Sequence, residues 1–161
     1  MVVPISLVIL VGLFLVQRKG TAFIANIFGP VMMLWFITIG LLGLRAIART
    51  PEILEALSPH HALAYLTQAP PGIAFAVLGA VFLAVTGGET MYADMGHFGC
   101  LPIRLGWFAV VLPGLLLNYL GQGALLLSDP RAIENPFYLL APRWAHYPMV
   151  VFATGATIIA S

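Results

Sequence analysis

The stretch IAFAVLGAVFLAVTGGETMYAD, residues 73–94, decides the class of fold. It occupies an apolar run, about 72–93, and a helix needs about 20 such residues to cross the hydrocarbon core of a bilayer. Ala76, Ala80 and Ala84 recur every four residues, so they share one helix face and would let a neighbouring helix come close. The run therefore predicts a membrane-spanning helix with a small-residue face.

The same run carries a candidate ion site at Thr86-Gly87-Gly88-Glu89. A carboxylate is costly in hydrocarbon and is tolerated where it faces a partner or a water-filled pathway. Two glycines weaken the helix by about 1 kcal/mol each, and an unwound turn frees carbonyl oxygens for a cation. Thr86 and Glu89 are three residues apart and share a face. Alternatively, Glu89 lies near the cytoplasmic helix end and points to water, since Asp94 and His97 follow it.

The composition excludes a water-soluble domain. Of the 161 residues, 61% are hydrophobic and only 8% are charged, against roughly a quarter charged in soluble domains. The net charge of +1 gives no basic stripe for nucleic acid, and a single cysteine, Cys100, excludes an internal disulfide. We predict five membrane helices at about 2–16, 27–44, 72–93, 105–127 and 148–161.

The charges of the loops predict an orientation. The short loops 17–26 and 94–104 carry Arg18, Lys19 and Arg104, whereas the long loops carry four arginines. The counts nearly tie, but the density of positive charge places the short loops in the cytoplasm. Both end runs are short for a full span, so we expect an internal piece of a larger membrane protein.

The fourth run contains the other polar candidates. Asn118 and Gln122 are four residues apart and share a helix face, and Pro113 is expected to kink the helix. The two amides either line a pathway, together with Tyr92, or form interhelical hydrogen bonds worth about 0.6 kcal/mol each. Spacing alone favours the second interpretation.

Four motifs resemble signatures of one family. They are AVTGGETMYADMGHFG at 84–99, PIRLGW at 102–107, NYLGQGALLL at 118–127 and ENPFYLLAP at 134–142. Together they closely resemble the KUP/HAK/KT potassium-uptake permeases, in order and with matching spacing. Gly88 and Cys100 depart from the family pattern, where alanine or valine and a basic residue are usual.

This resemblance implies an all-α secondary transporter of the bacterial inner membrane that takes up potassium, usually by proton symport. It implies a LeuT-like inverted repeat, in which the five runs are the family's spans four to eight and the third run is discontinuous. Thr86 and Glu89 would be K⁺ ligands, and the loops 17–26 and 94–104 would be cytoplasmic. K⁺ and H⁺ are transported ions, so no cofactor is expected; a homodimer is a further expectation.

Two alternatives stay open. A non-transporting membrane scaffold, or a truncated remnant of a transporter, is suggested because the motifs of the family's first and third spans do not occur in the chain. An intramembrane enzyme would need a second catalytic group facing Glu89, and Asp94, five residues on, points elsewhere on a regular helix. This last alternative ranks lowest.

Overall fold

The described part of the chain is almost entirely helical, as predicted. The computed structural model describes residues 21–84, 95–96 and 99–160, and these contain no strand. The α-helices are α1 (Thr21–Arg49), α2 (Pro59–Gln68), α3 (Pro71–Ala84), α4 (Cys100–Gly106), α5 (Leu112–Ser128), α6 (Pro136–Leu139) and α7 (His146–Ala160). Short 3₁₀ helices occupy Pro51–Leu57, Pro130–Glu134 and Arg143–Ala145, and a π-helical turn, Trp107–Val111, joins α4 to α5. The predicted helix at 2–16 lies outside the described residues.

Two helices among the described residues are long and apolar enough to cross a membrane. They are Gly29–Arg49 and the continuous helix Cys100–Ser128, while Pro71–Leu83 is a shorter apolar helix. Large apolar side chains on these helices are exposed, among them Phe75 at 80% and Phe82 at 73%. Side chains of this kind are stable against lipid tails or other apolar segments rather than water.

Helix α1 differs from the prediction at both ends. The sequence predicts a helix over 27–44, because Pro30 is typical of a first turn, but the helix runs from Thr21 to Arg49 with Pro30 inside it. Residues 21–26 are therefore helical rather than part of a loop. Proline is tolerated inside membrane helices because neighbouring groups satisfy the freed carbonyl.

The fourth run begins earlier than expected, at Cys100 instead of about 105. Gly99 has a φ of +84°, a left-handed conformation that side chains beyond glycine rarely adopt. This residue turns the chain, and the helix starts directly after it. The segment 100–104, interpreted as loop, is the first part of α4.

Pro113 coincides with a widened turn. The Leu112 N–H donates to the carbonyl oxygen of Trp107, five residues back, which is the π-helical pattern. In a regular helix the proline ring would collide with the carbonyl of Ala109. The widened turn accommodates this ring without ending the helix.

The long segment 45–71 contains two of the short helices. Pro51 and Pro59 each open a helix after Thr50 and Ser58, and neither hydroxyl makes a capping hydrogen bond. His60 and His61 lie in the first turn of α2. Proline at this position fixes a helical φ, so the turn begins without a side-chain cap.

The chain divides into two compact units. One contains the described residues up to Trp35 and those from Tyr147 onward. In it, the rings of Trp35 and Phe152 meet edge to face with centroids 5.3 Å apart. Met149 and Ala156 are its buried apolar residues among those described.

The second unit is Phe36–His146, and α5 is its central helix. Helix α5 packs against the 3₁₀ helices Pro51–Leu57 and Pro130–Glu134 and against α6. The buried apolar residues in this unit are mostly small or medium in size: Ile39, Ile47, Ala74, Ala124, Ala132, Leu140 and Ala141. Small side chains let helices pack at short distance, and that packing shapes the site below.

Candidate functional site

The predicted ion-site residues lie beyond the described end of α3. Thr86, Gly87, Gly88 and Glu89 follow Ala84, and Tyr92 follows them; all five are outside the described residues. The expected small-residue face of α3 is exposed at Ala76 and Ala80 within the described part. Apart from the backbone of its own helix, no atom of the described residues lies within 4 Å of a Cβ built on Gly79, which is on the same helix. These residues keep the roles predicted for them as proposals.

Helices α1 and α5 instead make a close crossing through glycines. A Cβ on Gly43 would overlap the carbonyl oxygen of Leu117 and would lie 2.8 Å from the backbone nitrogen of Asn118. A Cβ on Gly121 would overlap the Cα of Gly43. Backbone meets backbone here, so glycine is required on both helices.

The crossing continues one turn toward the N-terminus of α5. A Cβ on Gly40 would lie 3.4 Å from the Cα of Gly114, and one on Gly114 would lie 2.9 Å from the carbonyl oxygen of Phe36. Gly114, Asn118 and Gly121 are separated by four and three residues, so they share one face of α5. We call the four residues Gly40, Gly43, Gly114 and Gly121 the glycine crossing.

Asn118 is buried at the glycine crossing. It is 4% exposed, and it is the buried polar residue within the described ranges 29–83, 95–96 and 99–157. Its side-chain oxygen, Oδ1, has no hydrogen-bond partner among the described residues. An unpaired buried polar atom costs about 1–3 kcal/mol, so a partner for this oxygen would stabilise the protein.

Gln122 lies one turn further along α5 and is partly exposed. The structure therefore places the two predicted amides on the same helix at the spacing expected. Only Asn118 is enclosed by the crossing. The interhelical hydrogen bond that spacing favoured is not seen for Asn118 Oδ1 within the described part of the chain.

The described residues contain no group of three His, Cys, Asp or Glu side chains that could hold a metal ion. Cys100 is a free, exposed thiol. His61 Nε2 lies 4.0 Å from Glu55 Oε2, and both side chains are more than half exposed. An ion pair this exposed contributes little to stability.

Sequence reasoning missed the glycine crossing, although a signal existed. Gly40 and Gly43 are three apart, Gly114 and Gly121 are seven apart, and small residues at such spacings mark close helix contacts in membranes. Gly121 and Gly123 are both small residues of α5, but only the tertiary structure shows that Gly121 is the one that packs against α1. A Cβ on Gly123 would instead meet the Cδ1 of Ile53 at 2.7 Å.

Comparison with known proteins gives matches over the whole chain. The family model described as the K⁺ potassium transporter integral membrane domain matches residues 1–161. The probable potassium transport system protein Kup of Methylococcus capsulatus is 61% identical over 160 residues, covering 99% of this chain and 25% of that protein.

Two further relatives agree. Kup 3 of Bradyrhizobium diazoefficiens is 59% identical over 160 residues, covering 99% of this chain and 26% of the relative. Kup 1 of Geobacter sulfurreducens is 62% identical over 160 residues, with 99% and 25% covered. The chain thus spans about a quarter of the length of these curated relatives. No solved structure matches the chain. Because the family model covers every residue, the chain belongs to the K⁺ potassium transporter integral membrane domain family.

Proposed function

We propose that this chain forms part of a transporter that takes up potassium across the bacterial cytoplasmic membrane by symport with protons. The family match over residues 1–161 is the observation that carries the proposal. The relatives are named as potassium transport system proteins, and the helices Gly29–Arg49 and Cys100–Ser128 have the length and composition of membrane spans.

The proposed ion ligands are Thr86 and Glu89, with carbonyl oxygens from a break at Gly87-Gly88. A hydroxyl, a carboxylate and carbonyls are the oxygen ligands that replace the water around K⁺. Glu89 would also accept the proton. A charged carboxylate at membrane depth is costly without a cation beside it, so it would be protonated when the cation leaves. On this proposal α3 is the first half of a discontinuous span in a LeuT-like repeat, the third of five.

Asn118 is proposed to line the pathway, with Gln122 and Tyr92 as further lining residues. The support is its enclosed position together with the unpartnered Oδ1. An amide oxygen that has no partner among the described residues is available to a polar group that arrives transiently. A merely structural amide would gain from a permanent partner.

Rubidium uptake by potassium-transport-deficient bacteria tests the transport proposal. The protein is expressed from the complete reading frame that encodes the chain, and membrane insertion is checked by fractionation. Glu89→Gln should abolish uptake or uncouple it from proton entry, whereas Glu52→Gln, an exposed carboxylate in a 3₁₀ helix, should leave uptake unchanged. Wild-type kinetics and proton coupling in Glu89→Gln would remove Glu89 from the site.

The same rubidium uptake assay distinguishes a transporter from the alternative of a non-transporting scaffold. An inserted wild-type protein that gives no uptake above the vector, from the complete reading frame, would favour the scaffold. A homodimer is also proposed, and cross-linking in native membranes would test it.

The proposed orientation puts the loops 17–26 and 94–104 in the cytoplasm. Cys100 is the exposed first residue of α4, inside the predicted second loop, and serves as a probe when other cysteines of the reading frame are replaced. A membrane-impermeant maleimide should label it only after the membrane is opened. In a Cys100→Ser background, Glu55→Cys should be labelled in intact spheroplasts. The reverse pattern would invert the topology.

A further inference from the structure

A cavity at the C-terminal end of α1 is separate from the proposed ion site. It has a volume of about 80 Å³ and lies between the end of α1, α5 and α6. One water needs about 10–15 Å³ of a cavity, so several water-sized groups fit. The lining residues that matter are Arg45, Arg49, Thr50, Ser128, Leu139 and Leu140.

Two positive charges stand at this cavity. Arg45 and Arg49 are one helical turn apart, a rise of about 6 Å, and both are exposed. Among the described residues, no carboxylate oxygen lies within 4.0 Å of either guanidinium. The close contact between a basic and an acidic side chain that those residues do contain joins His61 to Glu55, which do not line the cavity. Both arginines therefore face this cavity without an anionic partner from the described chain.

Their position along the span places them at the membrane surface. Arg49 is the last residue of the apolar span Gly29–Arg49, and Arg45 is one turn inside it. Around them α1 is apolar and exposed, with Leu41 at 61% and Leu44 at 50%. A guanidinium at this depth is beside the phosphate layer of the bilayer rather than in bulk water.

The cavity has the donors that a phosphate group needs. Guanidinium forks match phosphate oxygens in a bidentate way. The Thr50 hydroxyl makes no capping bond and can add a donor, whereas Ser128 Oγ already donates to the Leu125 carbonyl oxygen. Leu139 and Leu140 make the other wall apolar, which suits the glycerol and acyl part of a lipid.

We propose that Arg45 and Arg49 form a binding site for a phosphate group, carried by an anionic phospholipid seated against Leu139 and Leu140. A free phosphate shares the chemistry of the headgroup, so the experiment includes both sources. The site does not depend on the transport proposal, and its readout is binding rather than uptake.

Native mass spectrometry of the detergent-purified protein, from its complete reading frame, measures the affinity for added phosphatidylglycerol. The double variant Arg45→Gln/Arg49→Gln should bind it roughly tenfold more weakly, which corresponds to about 1.4 kcal/mol. The control Arg131→Gln/Arg143→Gln removes the same charge from two exposed arginines outside the cavity and should change affinity less than about twofold.

Two further ligands separate the sources of phosphate. Diacylglycerol has no phosphate and should bind no better to the wild-type protein than to the double variant. Inorganic phosphate that binds the wild-type protein and excludes the lipid would assign the same site to the free anion. Binding of neither phosphate source at this site would overturn the proposal.

The variants also distinguish a site from general attraction. Wild-type affinity in the Arg45→Gln/Arg49→Gln variant would overturn the proposal. An equal loss of affinity in the control would also overturn it, because non-specific attraction of headgroups depends on the number of arginines and not on their position. If circular dichroism shows that the Arg45→Gln/Arg49→Gln variant does not fold, Arg45→Lys/Arg49→Lys is used instead, because it keeps the positive charges but cannot bind phosphate in a bidentate way. It should show an intermediate loss, and unchanged binding would count against the site.

Discussion

The substitution Gly43→Ala tests the glycine crossing on which the second unit depends. The added methyl would overlap the carbonyl oxygen of Leu117 and approach the backbone nitrogen of Asn118 to 2.8 Å. Both obstacles are backbone atoms inside a helix, so no side-chain rotation relieves them. The two helices must move apart, and the contacts along the crossing are lost together.

The magnitude follows from two opposing contributions. Overpacking of a tight contact costs up to about 3 kcal/mol, and replacing a helical glycine by alanine returns about 1 kcal/mol of helix propensity. The expected net loss is about 2 kcal/mol. Gly79→Ala is the matched control, because no atom of the described residues outside its own helix backbone lies within 4 Å of the added Cβ, and it should gain up to about 1 kcal/mol.

The assay is reversible unfolding of the purified protein in mixed detergent micelles, followed by circular dichroism. The two variants should differ by about 3 kcal/mol, or roughly a hundredfold in the ratio of folded to unfolded protein. Gly121→Ala should behave like Gly43→Ala, since its Cβ would lie 2.9 Å from the carbonyl oxygen of Gly43. Equal stability of the Gly43→Ala and Gly79→Ala proteins would refute the close crossing.

Three smaller perturbations probe other parts of the second unit. Asn118→Leu replaces the unpartnered oxygen at similar volume, so unfolding stability should be unchanged or raised while rubidium uptake falls; a loss of several kcal/mol would show that Oδ1 has a partner after all. Pro113→Ala restores an N–H and removes the ring, so the new amide at residue 113 should donate to a carbonyl of the preceding turn and be protected in hydrogen exchange; fast exchange would show that this turn leaves the amide without a partner. Asp129→Ala removes the carboxylate that accepts from the Arg131 N–H at 3.0 Å and should cost about 1 kcal/mol in the same unfolding assay, with no change if that cap is unimportant.

Local sequence predicts where the helices lie more accurately than it predicts the residues at which they begin and end. The apolar runs predict helices near α1, α3, α5 and α7, because a backbone in hydrocarbon must satisfy its own hydrogen bonds. The start of α1 was misplaced because Pro30 is a first-turn signal in water and is tolerated mid-helix in a membrane protein. The start of α4 depends on the φ of Gly99, a conformational choice that composition does not reveal.

The close helix approach that the structure describes lies outside the predicted small-residue face of α3, which stays a prediction. Ala76 and Ala80 have the spacing of a packing face, yet they are exposed in the described part of the chain. At Gly43 and Gly121, by contrast, an added Cβ would overlap backbone atoms of the facing helix. Spacing identifies a face that permits approach, but it does not say which of several permissive faces has a partner.

The sequence by itself determined that the chain belongs in a membrane, that it is helical and to which family it belongs. Few charges and long apolar runs are stable only in a bilayer, and the motifs are specific to the family. Only the tertiary structure decided which glycines face each other, that Asn118 Oδ1 is enclosed without a partner in the described part, and that Arg45 and Arg49 share a cavity with α6. Hydrophobic burial in lipid depends on the composition of each segment, whereas contact between residues some 80 positions apart depends on the geometry of the packed helices.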